Sequence, residues 1–206
     1  MASNLRSKAP ILWMVAGPNG SGKSSLYGDV GTEAFDKSVW IINPDLLTER
    51  IWQVEGLTAR DANIQAVVRV EAWLEASINA YQTIGVGTVL STDKYRRLVL
   101  LAKQQQFEFR LTYIILQSPD LNVERVRLRA KKGGHNVAEA KIRERWAKSL
   151  AQLPWFLDQA DWASIYDNSS EKPRRVGLKK DGTIYLDPTA PAAISTAVEL
   201  AGTVSP

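Results

Sequence analysis

The segment Gly17-Pro18-Asn19-Gly20-Ser21-Gly22-Lys23-Ser24 fits the pattern G-x-x-x-x-G-K-[ST] and restricts the fold of this chain more than any other stretch. Before it, Ile11 to Ala16 is a short apolar run of the kind a buried parallel strand shows. After it, Ser24, Ser25 and Leu26 can open a helix. Strand, glycine-rich turn and helix start is the context the pattern needs. Successive backbone N–H groups around Gly20 to Lys23 then form a concave anion site at the positive end of a helix dipole. In that setting residues 17–25, Ser25 included, surround a nucleotide's phosphates. Lys23 reaches the β- and γ-phosphates, and the Ser24 hydroxyl is the Mg²⁺ ligand. A glycine-rich turn without a ligand is the alternative, and the full pattern in this context weighs against it.

With 206 residues the chain reads as a single domain long enough to bury a substantial core. It contains no cysteine, which excludes disulfides and thiolate metal sites. The first apolar run follows Arg6 and Lys8, but it is too short for a secretory signal and continues straight into the glycine-rich loop. No apolar run approaches the roughly 20 residues that cross a bilayer, so a cytoplasmic protein without a membrane partner is expected. The net charge of +4 is local: residues 120–148 hold nine Lys/Arg against four acids. Such a segment suits nucleic acid, a polyphosphate held under a closing lid, or a solvated helix face. The upstream loop favours the second, which makes nucleic acid an unexpected partner.

Further along, Ser38 to Asn43 reads as a strand ended by Asn43-Pro44-Asp45, leaving Asp45 at the sheet's carboxyl edge, where ligands of open α/β sheets sit. A carboxylate there can orient or deprotonate an attacking hydroxyl; a helix N-cap is the equal alternative. Ile64, Val67, Val68, Leu74, Ile78 and Tyr81 fall at helical spacing, with Trp73 off the stripe as either a substrate contact or a cover for a neighbouring helix. Ile84 to Leu90 is a weaker strand, and Ser91-Thr92-Asp93-Lys94 a helix start before Tyr95, Leu98 and Ala102. Phe109 to Leu116 is a strong strand, with Pro119 suited to a first helical turn. Arg125, Arg129 and Lys132 then share one helix face, and Gly133-Gly134 separates it from a helix carrying Ile142, Trp146, Leu150 and Leu153. Two short arginine-rich helices about a Gly-Gly joint read as a hinged lid that neutralises charge on a transferring phosphoryl group. Ala163 to Tyr166 reads as the last core strand. Lys180-Asp181-Gly182 then signals a hairpin with Val176, Leu178, Ile184 and Leu186 on one face, and Pro191 to Leu200 a short helix.

The order of these landmarks resembles the zeta-toxin-like family of P-loop kinases. The resemblance rests on Ala16 to Ser24, Ile42-Asn43-Pro44-Asp45, Leu90-Ser91-Thr92, Tyr113 to Leu116, Arg125 to Arg129, Lys132 to Val137, Ile142 to Leu150 and Asp167-Asn168-Ser169. It implies a three-layer α/β P-loop sandwich with a mainly parallel central sheet and a helical lid. The core would span about residues 10–170, the lid about 120–150, and a C-terminal hairpin and helix 171–206. It also implies ATP and Mg²⁺ as cofactors, and transfer to a small hydroxylated substrate; the family's toxins phosphorylate UDP-N-acetylglucosamine on its sugar 3′-hydroxyl. An antitoxin protein is the implied partner.

By the same resemblance Asp45 matches the catalytic base, Lys23 and Ser24 the phosphate lysine and magnesium hydroxyl, and Arg125 or Arg129 a lid arginine. His135 lies near a second lid arginine, as a phosphate contact or a capping residue, with Arg143 able to supply that charge. Asn168 falls where a loop after the last strand can touch adenine; Asn43, Thr88, Ser91 and Thr92 fall on the acceptor side. One departure stands out: Gly87-Thr88-Val89 replaces a Glu-Thr-Thr or Glu-Gly-Thr segment, so the acid that binds substrate is missing unless Asp93 substitutes. A nucleotide-dependent hydrolase or switch is the second function class, weakened by Ser118 standing where an acid is expected; a nucleic-acid protein is the third.

Overall fold

Every position of β1 (Ile11–Ala16) is apolar because both sides of the strand are buried. Leu12, Met14 and Ala16 face the larger core, while Ile11, Trp13 and Val15 face a smaller one shared with Leu26 and Ile114. The computed structural model describes residues 9–29, 39–133 and 137–202. Among them seven strands form one sheet in the order β2-β3-β1-β4-β5-β6-β7. The added strands are β2 (Ile41–Ile42), β3 (Ile84–Thr88), β4 (Glu108–Ile115), β5 (Trp162–Asp167), β6 (Arg174–Lys180) and β7 (Thr183–Leu186). Strands β1 to β5 run parallel, and β6 and β7 are added antiparallel. The chain leaves β1 for one side of the sheet and later returns to its other side as β4. Outside the carboxyl end of β1 the sheet therefore has a switch point, where an open α/β sheet leaves a crevice. The glycine-rich loop begins there.

The helices are α1 (Lys23–Asp29), α2 (Pro44–Glu55), α3 (Ala59–Asn79), α4 (Arg96–Gln104), α5 (Pro119–Lys131), α6 (Glu139–Gln159) and α7 (Ala192–Leu200). Leu26 of α1 covers one sheet face, and α3, α4, α6 and α7 contribute to the core on the other. Two helix pairs also carry small cores of their own. Ile51, Ala62 and Ala66 join α2 to α3, and Val123, Val126 and Ile142 join α5 to α6.

Several sequence expectations are corrected here. On α3 the buried ladder is Ala62, Ala66, Val70, Leu74 and Ile78, whereas Ile64 and Val68, and Tyr81 just beyond the helix, are about half exposed. Close approach to α2 selects alanine at the contact, which leaves the larger side chains outside. Trp73 packs edge-on against Trp40 at 4.5 Å between ring centres. Helix α4 starts at Arg96, later than Ser91–Lys94 suggests, although Tyr95, Leu98 and Ala102 are buried as expected. Strand β2 is only two residues long within a stretch whose first residue, Ser38, lies outside the described residues. Helix α6 is 21 residues long, not short, and its second half enters the main core through Leu153, Phe156 and Leu157.

The hairpin turns at Asp181 and Gly182, both with positive φ (51° and 80°). Val176, Ile184 and Leu186 join the main core, but Leu178 does not. A register shift between Ile165 and Tyr166 makes Val176 the extra residue of a bulge, which moves Leu178 to the opposite face and turns Lys179 inward. Lys179 donates to the carbonyls of Leu157 (2.8 Å) and Asp158 (2.9 Å) at the end of α6, where a cation complements the helix dipole.

Candidate functional site

The loop after β1 is shaped by close approach. A Cβ at Gly17 would run into the Ile114 carbonyl oxygen, and one at Gly22 into the Asn168 side-chain amide. Gly22 also has φ of +94°, which side-chain-bearing residues rarely adopt. Four contacts from elsewhere in the chain fix the loop. Gly17 N–H donates to Thr88 O (3.1 Å), the Asn122 amide to Asn19 O (2.7 Å), the Asn168 amide to Ser21 O (2.9 Å), and Arg145 to Asn19 Oδ1 (3.1 Å). Arg125 in turn donates to Asn168 O at 2.7 Å. The loop is thus tied to β3, α5, α6 and the segment after β5.

Lys23 folds back over the loop and donates to Gly17 O (2.6 Å) and Pro18 O (3.1 Å). Burial lowers its pKa to about 8; Asp45 opposes that shift, and Arg129 and Arg145 add to it. An anion entering the loop would restore the full charge of this ammonium.

A cavity of about 520 Å³ opens beside the loop. Asn19, Gly20 and Gly22 to Ser25 line one wall; Asn43, Asp45, Thr88, Ser91 and Thr92 line another; Arg125, Arg129 and Asn168 also reach it. Tertiary structure thus gathers most of the residues singled out from sequence. Gly17, Pro18 and Ser21 lie outside the lining, Gly17 and Pro18 supplying the carbonyls that hold Lys23. The Ser21 carbonyl takes the Asn168 bond, and its buried hydroxyl has no partner.

Asp45 is not the cap of α2. Asn43 is: its side chain accepts from Asp45 N–H at 3.0 Å, Pro44 follows, and the Asp45 carboxylate is left exposed in the cavity. After β3, Leu90 has φ of +58° with its side chain buried, and Leu90 N–H donates to Thr88 Oγ1 (3.1 Å). This strained corner brings Ser91 and Thr92 to the cavity wall.

One expectation lands elsewhere. Arg143 is exposed, 2.5 Å from Asp120, and is not part of the lining. His135 lies outside the described residues, as does Gly134 of the Gly-Gly joint. Asn168 lines the cavity, and its amide nitrogen also supports the loop by donating to Ser21 O. Arg145, Asn63, Val67, Lys94 and Tyr95 line the cavity and Asn122 holds its loop, although none of them is a site candidate from sequence. Arg145 and Asn122 carried a detectable signal, since each is a polar residue on the buried side of its helix, beside Ile142 and Ser149 or Val123 and Val126.

The residues also fit a magnesium ion accompanying a nucleotide. Ser24 is exposed at the start of α1 and lines the same cavity as Asp45. Among the described residues no set of three or more His, Asp or Glu side chains is gathered to hold an ion independently of a ligand. No described helix is long and apolar enough to cross a membrane. The basic segment is largely accounted for: Arg127 pairs with Glu139, Arg143 with Asp120 and Lys148 with Glu144, while Arg125, Arg129 and Arg145 reach the cavity.

A family model described as an AAA domain matches residues 12–154. An uncharacterized protein of Haemophilus influenzae is 26% identical over 132 residues, covering 63% of this chain and 88% of that protein. A solved structure from the PezAT chromosomal toxin-antitoxin system of Streptococcus pneumoniae superposes with a TM-score of 0.63 at 19% identity, over 91% of this chain and 77% of the other. The AvrRxo1-ORF1:-ORF2 structure with ATP superposes with a TM-score of 0.68 at 13% identity. It covers 95% of this chain, which spans just under two thirds (64%) of that one. At these identities the two structures show a shared fold.

Proposed function

Because the chain belongs to the AAA domain family and is a P-loop kinase-like domain, we propose that it transfers the γ-phosphoryl group of ATP to a hydroxyl of a small substrate. The carrying observation is the Asp45 carboxylate, released from capping by Asn43, facing the cavity that Lys23 and three arginines also border. The division of labour follows. Residues 17–25 hold the phosphates through backbone N–H groups. Lys23 exchanges its two carbonyl partners for phosphate oxygens. Ser24 would hold the magnesium ion, which neutralises phosphate charge when bound. Asp45 orients the acceptor hydroxyl and accepts its proton. Arg125, Arg129 and Arg145 stabilise negative charge on the group in transfer.

Ser118 supports transfer over hydrolysis. At the end of β4 it caps α5 by accepting from Leu121 N–H (3.5 Å), so no acid stands there to organise a water. The resemblance to zeta-toxin-like kinases, together with the fold shared with the PezAT structure, supports a UDP-amino sugar as one acceptor to assay and an antitoxin-like protein as a partner to seek. Transfer of labelled phosphate from ATP into a metabolite extract tests the reading directly. Asp45→Asn is expected to lower transfer by about 10²–10⁴-fold with nucleotide affinity nearly unchanged; full transfer by that variant would remove the base assignment.

A further inference from the structure

The acceptor end of the cavity holds a feature that the phosphoryl-transfer roles leave unused. Lys94 and Tyr95 line it immediately before α4. Helix α4 has no side-chain cap and no acid in its first turn, and of its N-terminal N–H groups that of Arg96 donates to the Asp93 carbonyl at 2.8 Å. Tyr95 is 1% exposed, and its buried hydroxyl has no hydrogen-bond partner. A buried phenol without a partner is costly unless a ligand or water completes it. The Lys94 ammonium lies 4.5 Å from the Tyr95 ring centre and only loosely against Glu71, at 3.9 Å. Asp93, the acid immediately before Lys94, is exposed and outside the lining. Among the described residues that line the cavity are five cations, Lys23, Lys94, Arg125, Arg129 and Arg145, and one carboxylate, Asp45. Four of those cations border the loop or the lid; Lys94 lies on the acceptor side.

From this arrangement we propose that the acceptor carries an anionic group, phosphate or carboxylate, held by Lys94 and Tyr95 at the start of α4, with its hydroxyl presented to Asp45. The proposal rests on the phosphotransferase reading. It gives the acceptor wall the charge recognition that a glycine at position 87 cannot supply. Burial lowers the Lys94 pKa against the opposing pull of Glu71, so an arriving anion strengthens the charged form. Burial first, and then Glu71, keeps the Tyr95 phenol protonated and able to donate.

The test has a binding arm and a transfer arm. In the first, the loop is saturated with Mg²⁺ and a non-hydrolysable ATP analogue, and glycerol 3-phosphate, glycerate, glycerol and UDP-N-acetylglucosamine are titrated by calorimetry. The anionic compounds are expected to bind at least about tenfold more tightly than glycerol. Lys94→Met removes that preference and Lys94→Arg restores part of it. In the transfer arm Lys94→Met raises KM for whichever anionic compound is phosphorylated by about tenfold or more, with a much smaller change in kcat. Preference for UDP-N-acetylglucosamine over the three-carbon compounds identifies a nucleotide diphosphate as the anion; the reverse identifies a small phosphate or carboxylate. Equal binding of glycerol and its phosphate, or an anion preference that survives in Lys94→Met, overturns the proposal. Failure to transfer to any acceptor by protein that binds the ATP analogue overturns the phosphotransferase reading instead.

Discussion

Under the proposed phosphoryl transfer the cavity has a donor wall and an acceptor wall, and the two are built on different principles. On the donor wall, backbone does the work: Gly17 and Gly22 sit where a Cβ would collide, and Asn122, Asn168 and Arg145 fix the loop from three other segments. On the acceptor wall, side chains do the work. Asp45 is exposed, Leu90 holds a strained corner, and Lys94 and Tyr95 keep loosely paired or unpartnered polar groups. A wall made of backbone N–H groups recognises a phosphate chain and little else. A wall made of side chains can change its substrate by exchanging a few residues, which is how a common donor site can serve different acceptors.

The strongest challenge to this contrast is Gly22→Ala. The added methyl meets the Asn168 amide and forces an L-residue into φ of +94°. Loop strain of about 1–3 kcal/mol plus the collision should weaken nucleotide binding by about 100-fold or more, measured with a fluorescent ATP analogue. If the affinity is retained, backbone geometry does not define the donor wall.

A second comparison separates two neighbouring arginines. Arg145→Ala should lower transfer by about 10²-fold, because it removes both a loop contact and a cation at the cavity. Arg143→Ala removes only an exposed pair with Asp120 and should leave transfer within about twofold. Equal losses in single-turnover assays would show that the exposed pair matters as much as the cavity arginine.

Asn168→Ala deletes one hydrogen bond to Ser21 O and should weaken nucleotide binding by about tenfold. Acceptor KM should be nearly unchanged, because Asn168 supports the donor wall alone. A parallel rise in acceptor KM would blur the division between the walls.

The smallest effect concerns stability. Lys23 has its pKa lowered from 10.5 to about 8 in the folded chain, so the unfolded chain binds more protons between those values. The burial cost is fully present below about pH 8 and is relieved as pH rises towards 10.5. Lys23→Met should therefore melt a few degrees above the parent protein at pH 7, with the gap closing by about pH 10, while nucleotide binding is lost. A scanning fluorimetry series over pH reads this directly, and a gap that widened with pH would contradict the assigned shift.

Strands β1 and β4, the glycine-rich loop, the α5 and α6 faces and the Asp181-Gly182 turn were legible because each depends on residues close in sequence. Pattern alone also suggested Asp45, but left it divided between base and cap. The structure resolved the cap by giving it to Asn43. Arg143 and Arg145 are near neighbours in the chain, and only the packing of α6 on α5 tells which one turns towards the loop. Leu178 was misplaced for a similar reason, since a one-residue bulge reverses every side chain after it and leaves no periodic mark.

By itself, then, the sequence determined the P-loop of this protein, because eight consecutive residues contain the glycine-rich turn, the amine and the hydroxyl of the pattern. The acceptor wall was decided only by tertiary structure. Asp45, Thr88, Lys94 and Tyr95 come from separate elements, and their meeting depends on helix phase and strand order that no local pattern specifies.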